Sequence, residues 1–195
     1  MTIILLAAGL SRRMENANKL LLPFDAVTIV QTTLENILAA DIGNIIVVVG
    51  YEADKVKSVL EKYKDVSFVH NPNYSEGMTS SIQAGLKATK NKSEGCMICL
   101  SDMVFIKPEE YKQIAFFFWD NLKTDEKVIV QPQFNDVVGN PIIFSGFYRA
   151  EILKHESPEG CREIVKKHKS HLKKIDMKTN NILRDIDTRE DYLKI

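Results

Sequence analysis

Apolar and polar positions alternate along the chain as short apolar runs separated by longer amphipathic stretches. Apolar runs of about four to eight residues are typical of strands buried on both faces, and apolar residues at helical spacing are typical of helices. The alternation predicts a parallel sheet covered by helices on both faces. The predicted strands are Thr2–Leu6, Ile45–Val49, Val66–Val69 and Cys96–Leu100, and the predicted helices are Ile29–Ala40, Ala53–Tyr63, Met78–Ala88 and Pro108–Trp119.

The pattern changes after about residue 126. Strand-like runs at Val128–Gln131 and Ile142–Phe144 flank the segment Pro132–Pro141, which predicts a hairpin-like excursion. Such an excursion could carry the site of a second substrate. The lysine-rich stretch Ile164–Lys174 predicts a helix with a solvated face. A length of 195 residues suits one domain, so we expect residues 1–195 to form a single domain.

The composition limits the kinds of partner. The chain has 26 basic and 26 acidic residues, whereas a protein that binds nucleic acid through phosphate contacts is usually basic overall. Cys96 and Cys99 have a CxxC spacing, but residues three apart in a strand point to opposite faces, so we expect two buried thiols rather than a zinc site. No stretch has the length of a membrane span, and no signal-like segment begins the chain. We therefore expect a cytoplasmic protein with no nucleic-acid or membrane partner.

A loop of small residues with three cations follows the first predicted strand. The strand runs into Ala7-Ala8-Gly9-Leu10-Ser11-Arg12-Arg13-Met14, and Lys19 follows five residues later. Small residues let backbone N–H groups approach an anion closely. Arginine offers a planar fork to phosphate oxygens, and lysine offers a mobile point charge. The loop therefore predicts a binding site for a small phosphorylated ligand.

Two further polar segments follow predicted strands, at the edge where a parallel sheet binds its ligand. The segment Asn71–Ile82 brings hydroxyl groups to a helix start, where they can cap N–H groups or bond a ligand. Asp102 follows the strand Cys96–Leu100, and a carboxylate in that place is a natural Mg²⁺ ligand. The alternative role of Asp102 is a helix cap, which is weakened because the next helix is predicted to begin only at Pro108.

A fourth acidic segment lies near the end of the sequence. Asp185 and Asp187 point to the same side if the segment is extended, and two carboxylates are costly to bury together without a cation. Thr188 and Asp191 have the spacing of a capping box, which predicts that a final helix starts at Thr188.

Together these motifs resemble the MobA-like nucleotidyltransferase family, most closely its molybdenum cofactor cytidylyltransferase branch. The stretch LAAGLSRRMENANKLLLP is similar to the family's LAAGxSxRMG…NKLLLP, with Glu15 in place of glycine. NPNYSEGMTSS resembles the segment NPxxxxGMxxS, which lies beside the base and ribose in the family. Two other motifs match except for proline: Val104 departs from the family's D-[MQ]-P, and Arg189 departs from its D-x-DTPED.

The resemblance implies a three-layer Rossmann-like core, with a nucleotide half over about residues 1–105 and an acceptor half over about residues 106–195. It implies that Arg13, Lys19 and Asp102 are catalytic, and that Asp102 and Asp187 hold Mg²⁺, with Asp185 a weaker candidate. The implied nucleotide-binding residues are Leu6, Ala7, Ala8, Gly9, Ser11, Arg13, Lys19, Asn71, Gly77, Ser80 and Ser81.

The implied reaction is transfer of CMP from CTP to molybdopterin with release of pyrophosphate, with a molybdoenzyme as a possible recipient of the product. Two family segments on the acceptor side match only partly. The usual GHP stands as Gly139-Asn140-Pro141, and the usual GDxGxR stands as Ser157-Pro158-Glu159-Gly160-Cys161-Arg162. Two alternatives therefore stay open: cytidylyl or uridylyl transfer to a sugar or polyol phosphate, and a non-catalytic molybdopterin carrier or insertion chaperone.

Overall fold

The structure is a computed structural model that describes residues 1–11, 13–14, 17–89 and 94–194. Arg12 and Glu15 of the first loop lie outside the described residues. No helix in these ranges is long and apolar enough to cross a membrane.

Strands and helices alternate as the hydrophobic pattern predicts. The strands are β1 (Thr2–Ala7), β2 (Pro23–Phe24), β3 (Val27–Thr28), β4 (Asn44–Val49), β5 (Val66–His70), β6 (Gly95–Leu100), β7 (Ile129–Phe134), β8 (Val137–Val138), β9 (Ile142–Ser145) and β10 (Leu172–Asp176). The helices are α1 (Ile29–Ala40), α2 (Ala53–Leu60), α3 (Met78–Ala88), α4 (Pro108–Leu122), α5 (Arg149–Leu153), α6 (Arg162–Lys167) and α7 (Arg189–Leu193).

The main sheet has β1 at its centre. Its strand order is β10-β7-β9-β6-β1-β4-β5, with β8 paired to β7. β1 is parallel to both neighbours, so that Leu6 pairs with Val48 on one side and with Leu100 on the other. β9 runs antiparallel to both β6 and β7. The carboxyl ends of β1, β4 and β6 therefore meet at one edge of a mostly parallel sheet, as predicted.

Each face of the sheet has its own hydrophobic core. The pleat sends Ile3 and Leu5 of β1 into the core shared with α1, α2 and α4, and it sends Ile4 into the core shared with α3, α5 and α6. Cys96 and Cys99 follow the same rule, since they are buried in opposite cores. This confirms a three-layer α/β fold and the prediction of two buried thiols.

Two boundaries in the second half differ from the sequence-based prediction. β7 continues through Pro132 to Phe134, so this proline lies within a strand rather than in the excursion. The stretch Ile164–Lys174 is not one helix, because α6 ends at Lys167 and β10 begins at Leu172. β10 is an edge strand with Ile175 buried, and lysines are common on such strands because they prevent pairing with another chain.

We predict that Gly85→Val lowers the free energy of unfolding by about 1–3 kcal/mol through overpacking. A Cβ atom at Gly85 would lie 2.6 Å from Cγ2 of Ile4, where α3 packs closely on the sheet. Urea denaturation measures the change. Lys87→Val, at an exposed position of the same helix, controls for the helix propensity of valine. Equal stability of the two variants would contradict the proposed close packing.

Candidate active site

A cleft of about 550 Å³ lies at the edge of the sheet where β1 and β6 end. This is the place where a parallel α/β sheet binds its ligand. The cleft brings together the first loop, the start of α3, the end of β6 and the C-terminal acidic segment. Its lining residues are Leu6, Ala8, Gly9, Leu10, Ser11, Arg13, Lys19, Leu20, Tyr74, Ser75, Gly77, Met78, Ser81, Leu100, Ser101, Asp102, Asn140, Arg162, Asp185 and Asp187.

The loop after β1 presents unpaired backbone donors to this cleft. The N–H groups of Gly9, Leu10 and Ser11 have no hydrogen-bond acceptor among the described residues. A Cβ atom added to Gly9 would meet no atom within 4 Å, so the space beside this residue is open. Successive unpaired N–H groups beside open space form a site that attracts anions. Ala7, by contrast, is buried at the end of β1 and does not line the cleft.

The side chain of Ser11 orients the chain around Lys19. Ser11 has a positive φ of 50°, and its hydroxyl oxygen accepts a hydrogen bond from the N–H of Lys19 at 3.2 Å. The side-chain oxygen of Asn18 accepts a bond from the N–H of Leu20, which caps the short turn at Lys19–Leu21. The hydroxyl of Ser11 thus fixes the backbone of Lys19 in this structure.

Lys19 joins two carboxylates that lie far apart in the sequence. Its Nζ atom is 2.5 Å from Oδ2 of Asp102 and 2.7 Å from Oδ1 of Asp187. Burial alone would lower the pKa of Lys19, but the charges of Asp102 and Asp187 and their hydrogen bonds to the ammonium outweigh burial and raise it above its ordinary value. Arg13, whose side chain is exposed, lies 2.7 Å from the second oxygen of Asp187.

One backbone hydrogen bond brings the acidic segments together. The N–H of Ile186 donates to the carbonyl oxygen of Asp102 at 3.2 Å, and the side chain of Ile186 is buried. Asp185 and Asp187 therefore flank a fixed residue and lie on the side of Asp102, as an extended segment predicts. One carboxylate oxygen from each aspartate lies within 4.8 Å of the others.

This cluster has the chemistry of a site for a divalent cation. Oδ1 of Asp102 is buried and has no hydrogen-bond partner among the described residues. Burial raises the pKa of Asp185, and the charges of Asp187 and Asp102 raise it further. An unpaired buried carboxylate oxygen and mutual repulsion both favour a bound hard cation, which prefers oxygen ligands. The N-cap of α4 is Lys107, so Asp102 does not cap this helix.

In the segment Asn71–Ile82, some of the predicted binding residues line the cleft and others only hold the neighbouring backbone in place. Gly77 and Ser81 line the cleft. Asn71 and Ser80 do not line it, although the sequence predicted them as nucleotide-binding residues. The side-chain amide of Asn71 donates to the hydroxyl oxygens of Ser80 at 2.9 Å and Ser81 at 3.0 Å, and its oxygen accepts from the N–H of Asn73. In this structure Asn71 therefore holds the loop against α3.

A second pocket of about 410 Å³ adjoins the cleft, and most of its lining residues lie between positions 131 and 166. Met78, Leu100, Asn140 and Arg162 line both spaces. The sequence analysis named Asn140 and Arg162 only within partly matching segments, and it did not single out Tyr74, Met78 or Ser101. The other residues that line the second pocket are Ile82, Ile98, Gln131, Val138, Gly139, Ile142, Glu159, Cys161, Val165 and Lys166.

Comparison with known proteins assigns the family. The model of the MobA-like NTP transferase domain matches residues 3–172. The chain belongs to this family. It is a nucleotidyltransferase by family, and the cleft lies where its loop after β1, its cations and its carboxylates converge.

The chain is similar to two relatives in sequence and to one solved structure in fold. The molybdenum cofactor cytidylyltransferase of Escherichia coli (strain K12) is 27% identical over 192 residues, which cover 97% of this chain and 92% of that protein. A probable molybdenum cofactor guanylyltransferase of Methanosarcina mazei is 34% identical over 110 residues, which cover 54% of this chain and 48% of that protein. A Mycobacterium tuberculosis H37Rv protein crystallised in complex with manganese has a TM-score of 0.79 at 21% identity, covering 99% and 96% of the two chains.

We predict that Lys19→Ala lowers the free energy of unfolding by about 3 kcal/mol, because it leaves a largely buried carboxylate without its counter-charge. Mn²⁺ should raise the melting temperature of the variant more than that of the wild type, since the vacated space lies between Asp102 and Asp187. Thermal unfolding with and without Mn²⁺ tests both effects.

Lys55→Ala is the matched control for Lys19→Ala. Lys55 pairs with Glu52 in an exposed i,i+3 ion pair, so its loss should leave the melting temperature and the Mn²⁺ response unchanged. A Mn²⁺ response that is the same in Lys19→Ala and in the wild type would contradict the assignment of the lysine ammonium to a cation site.

Proposed function

We propose that the protein transfers CMP from CTP to molybdopterin, releasing pyrophosphate, with Mg²⁺ as its metal ion. The observation that carries this proposal is the convergence in one cleft of Lys19, Asp102 and the N–H groups of Gly9–Ser11, which are unpaired among the described residues. The near full-length similarity to a molybdenum cofactor cytidylyltransferase supports the choice of substrates.

The reaction needs positioning and charge stabilisation rather than a covalent nucleophile from the protein. An oxygen of the acceptor phosphate attacks the α-phosphorus of CTP, a new P–O bond forms, and the bond to pyrophosphate breaks. The N–H groups of Gly9, Leu10 and Ser11 would hold phosphate oxygens, and Arg13 and Lys19 would neutralise the charge that develops on pyrophosphate. Lys19 would then exchange its carboxylate partners for phosphate oxygens.

Asp102 and Asp187 would hold the metal ion, with Asp185 beside them. When bound, Mg²⁺ supplies charge neutralisation and orientation to substrate phosphates. The unpaired oxygen of Asp102 and the spacing of the three carboxylates support this role. The manganese complex of the mycobacterial protein of similar fold is consistent with a metal ion in this fold.

We infer that the second pocket receives the acceptor. Apolar side chains, including Ile98 and Ile142, form one part of its lining and suit the flat ring system of a pterin. Arg162 and Lys166 bring positive charge to the same pocket, which suits a phosphorylated acceptor. The two spaces share Arg162, so an acceptor phosphate in the second pocket would face a nucleotide in the cleft.

The test of this function is dinucleotide formation from CTP, GTP, UTP and ATP, measured side by side with Mg²⁺ and molybdopterin. A site that hydrogen-bonds one base leaves polar groups unpaired with another, so we predict that kcat/KM for CTP exceeds that for GTP by at least about tenfold.

Asp102→Asn should abolish metal-dependent turnover in the same assay, because the amide keeps the shape of the side chain but loses the charge that binds the metal ion.

Equal or better use of GTP would overturn the choice of base, which matters because a probable guanylyltransferase is also among the relatives. Product formation only with a sugar or polyol phosphate would overturn the choice of acceptor. Nucleotide and pterin binding without product from any triphosphate would favour a carrier or insertion chaperone.

We also predict that Gly9→Ala weakens the binding of CTP at least about tenfold while changing the free energy of unfolding by less than about 1 kcal/mol. The φ of Gly9 is not positive, and an added Cβ would meet no protein atom within 4 Å, so the fold tolerates alanine. The methyl group would occupy the open space that a phosphate needs beside the N–H groups. Calorimetric titration and thermal unfolding measure the two quantities, and unchanged CTP affinity would place the phosphates elsewhere.

A further inference from the structure

The loop at residues 157–161 contacts the start of α3 and leads directly into α6. Arg162 is the first residue of that helix and lines both the cleft and the adjoining pocket. Arg162 has no ion-pair partner among the described residues. Because Arg162 directly follows the loop, the position of the loop determines where its side chain starts.

Hydrogen bonds from the start of α3 hold this loop. Thr79 is 4% exposed, its hydroxyl donates to the carbonyl oxygen of Ser157, and its oxygen accepts from the N–H of Gly160 at 3.0 Å. The N–H of Met78 donates to the carbonyl oxygen of Pro158 at 2.9 Å. Removing one partner of a buried hydrogen bond leaves the other group unsatisfied, so these bonds favour the observed position of the loop.

The backbone at Gly77 allows this close approach. Gly77 has a φ of 114°, and a Cβ atom on it would lie 2.5 Å from the carbonyl oxygen of Pro158. The hydroxyl of Thr79 thus serves a segment 78 residues away in the sequence rather than its own helix. The same few residues of α3 carry Ser81 in the nucleotide cleft.

We propose that Thr79 is a positioning residue that locks the loop at residues 157–161 to the start of α3, so that Arg162 is held at the junction of the cleft and the second pocket. This inference rests on the proposed function where it assigns the second pocket to the acceptor. The contact between Thr79 and the loop, called the lock below, does not depend on the identity of either substrate.

Thiol labelling in the absence of substrates tests the lock directly. Cys161 lies in the loop next to Gly160 and is 6% exposed, and burial raises the pKa of its thiol to about 12. Removing the hydroxyl in Thr79→Val should speed maleimide labelling of Cys161 about tenfold or more, because the loop opens more often. Peptide mass spectrometry identifies the labelled cysteine, and Cys161→Ser should abolish the fast phase.

Two variants serve as controls. Thr79→Ser keeps the hydroxyl and should label at the wild-type rate. Thr89→Val removes a hydroxyl at the other end of α3, where Thr89 bonds to Leu86 and Arg149 outside both pockets, and it should also leave the labelling of Cys161 unchanged. Wild-type labelling in Thr79→Val, or fast labelling in Thr89→Val, would overturn the lock.

Kinetics test the consequence for the two substrates. In Thr79→Val the acceptor KM should rise or kcat should fall by about tenfold, while the dissociation constant for CTP stays within about twofold, and Thr79→Ser should restore wild-type values. Equal losses for both substrates, or no change for either, would contradict a positioning role. A wild type that forms no product would instead count against the proposed function, because the labelling result stands by itself.

A measurement on the wild type covers the case in which Thr79→Val does not fold. The amide of Gly160 lies in a loop, yet it donates to Thr79, so its hydrogen exchange should be protected by the lock. Exchange at the rate of an unprotected loop amide would overturn the proposal without any substitution.

Discussion

The contact on which the candidate site depends is the pair of charge-assisted hydrogen bonds from Lys19 to Asp102 and Asp187. It connects the first loop, the end of the central sheet and the C-terminal acidic segment, which are separated by 83 and 168 positions. Without a cation between them, two carboxylates at this distance repel each other and resist burial. The lysine ammonium therefore makes the acidic site compatible with a stable fold.

The sheet topology explains why such distant residues meet. β1 lies between β4 and β6 in parallel register, so the loop after β1 and Asp102 after β6 emerge at the same edge. The buried side chain of Ile186 and its backbone bond to Asp102 then place the last aspartates beside that edge. Strand order therefore brings the loop after β1 and the three carboxylates together at the edge where a parallel sheet binds its ligand.

The sequence predicted features set by neighbouring residues, such as helix bounds and caps, but it did not predict contacts that arise when distant segments pack together. Periodicity located α1 and α3 at their observed bounds, and the spacing of Thr188 and Asp191 located the capping box of α7. The sequence did not predict that the side-chain amide of Asn71 donates hydrogen bonds to Ser80 and Ser81, because those bonds depend on how a loop folds onto a helix. The sequence analysis did not predict β10, because the lysines of this edge strand resemble the solvated face of a helix. It also did not predict the contact of Thr79 with a loop that is distant in the sequence.

In the proposed function, Lys19 occupies a cation site and leaves it when substrate and metal bind. A crystal structure with a non-hydrolysable CTP analogue and Mn²⁺, with anomalous scattering to locate the metal, would show whether it does. We expect a manganese peak between Asp102 and Asp187, with the ammonium of Lys19 turned to the triphosphate. A manganese ion bound elsewhere, with Lys19 still between the two carboxylates, would contradict it.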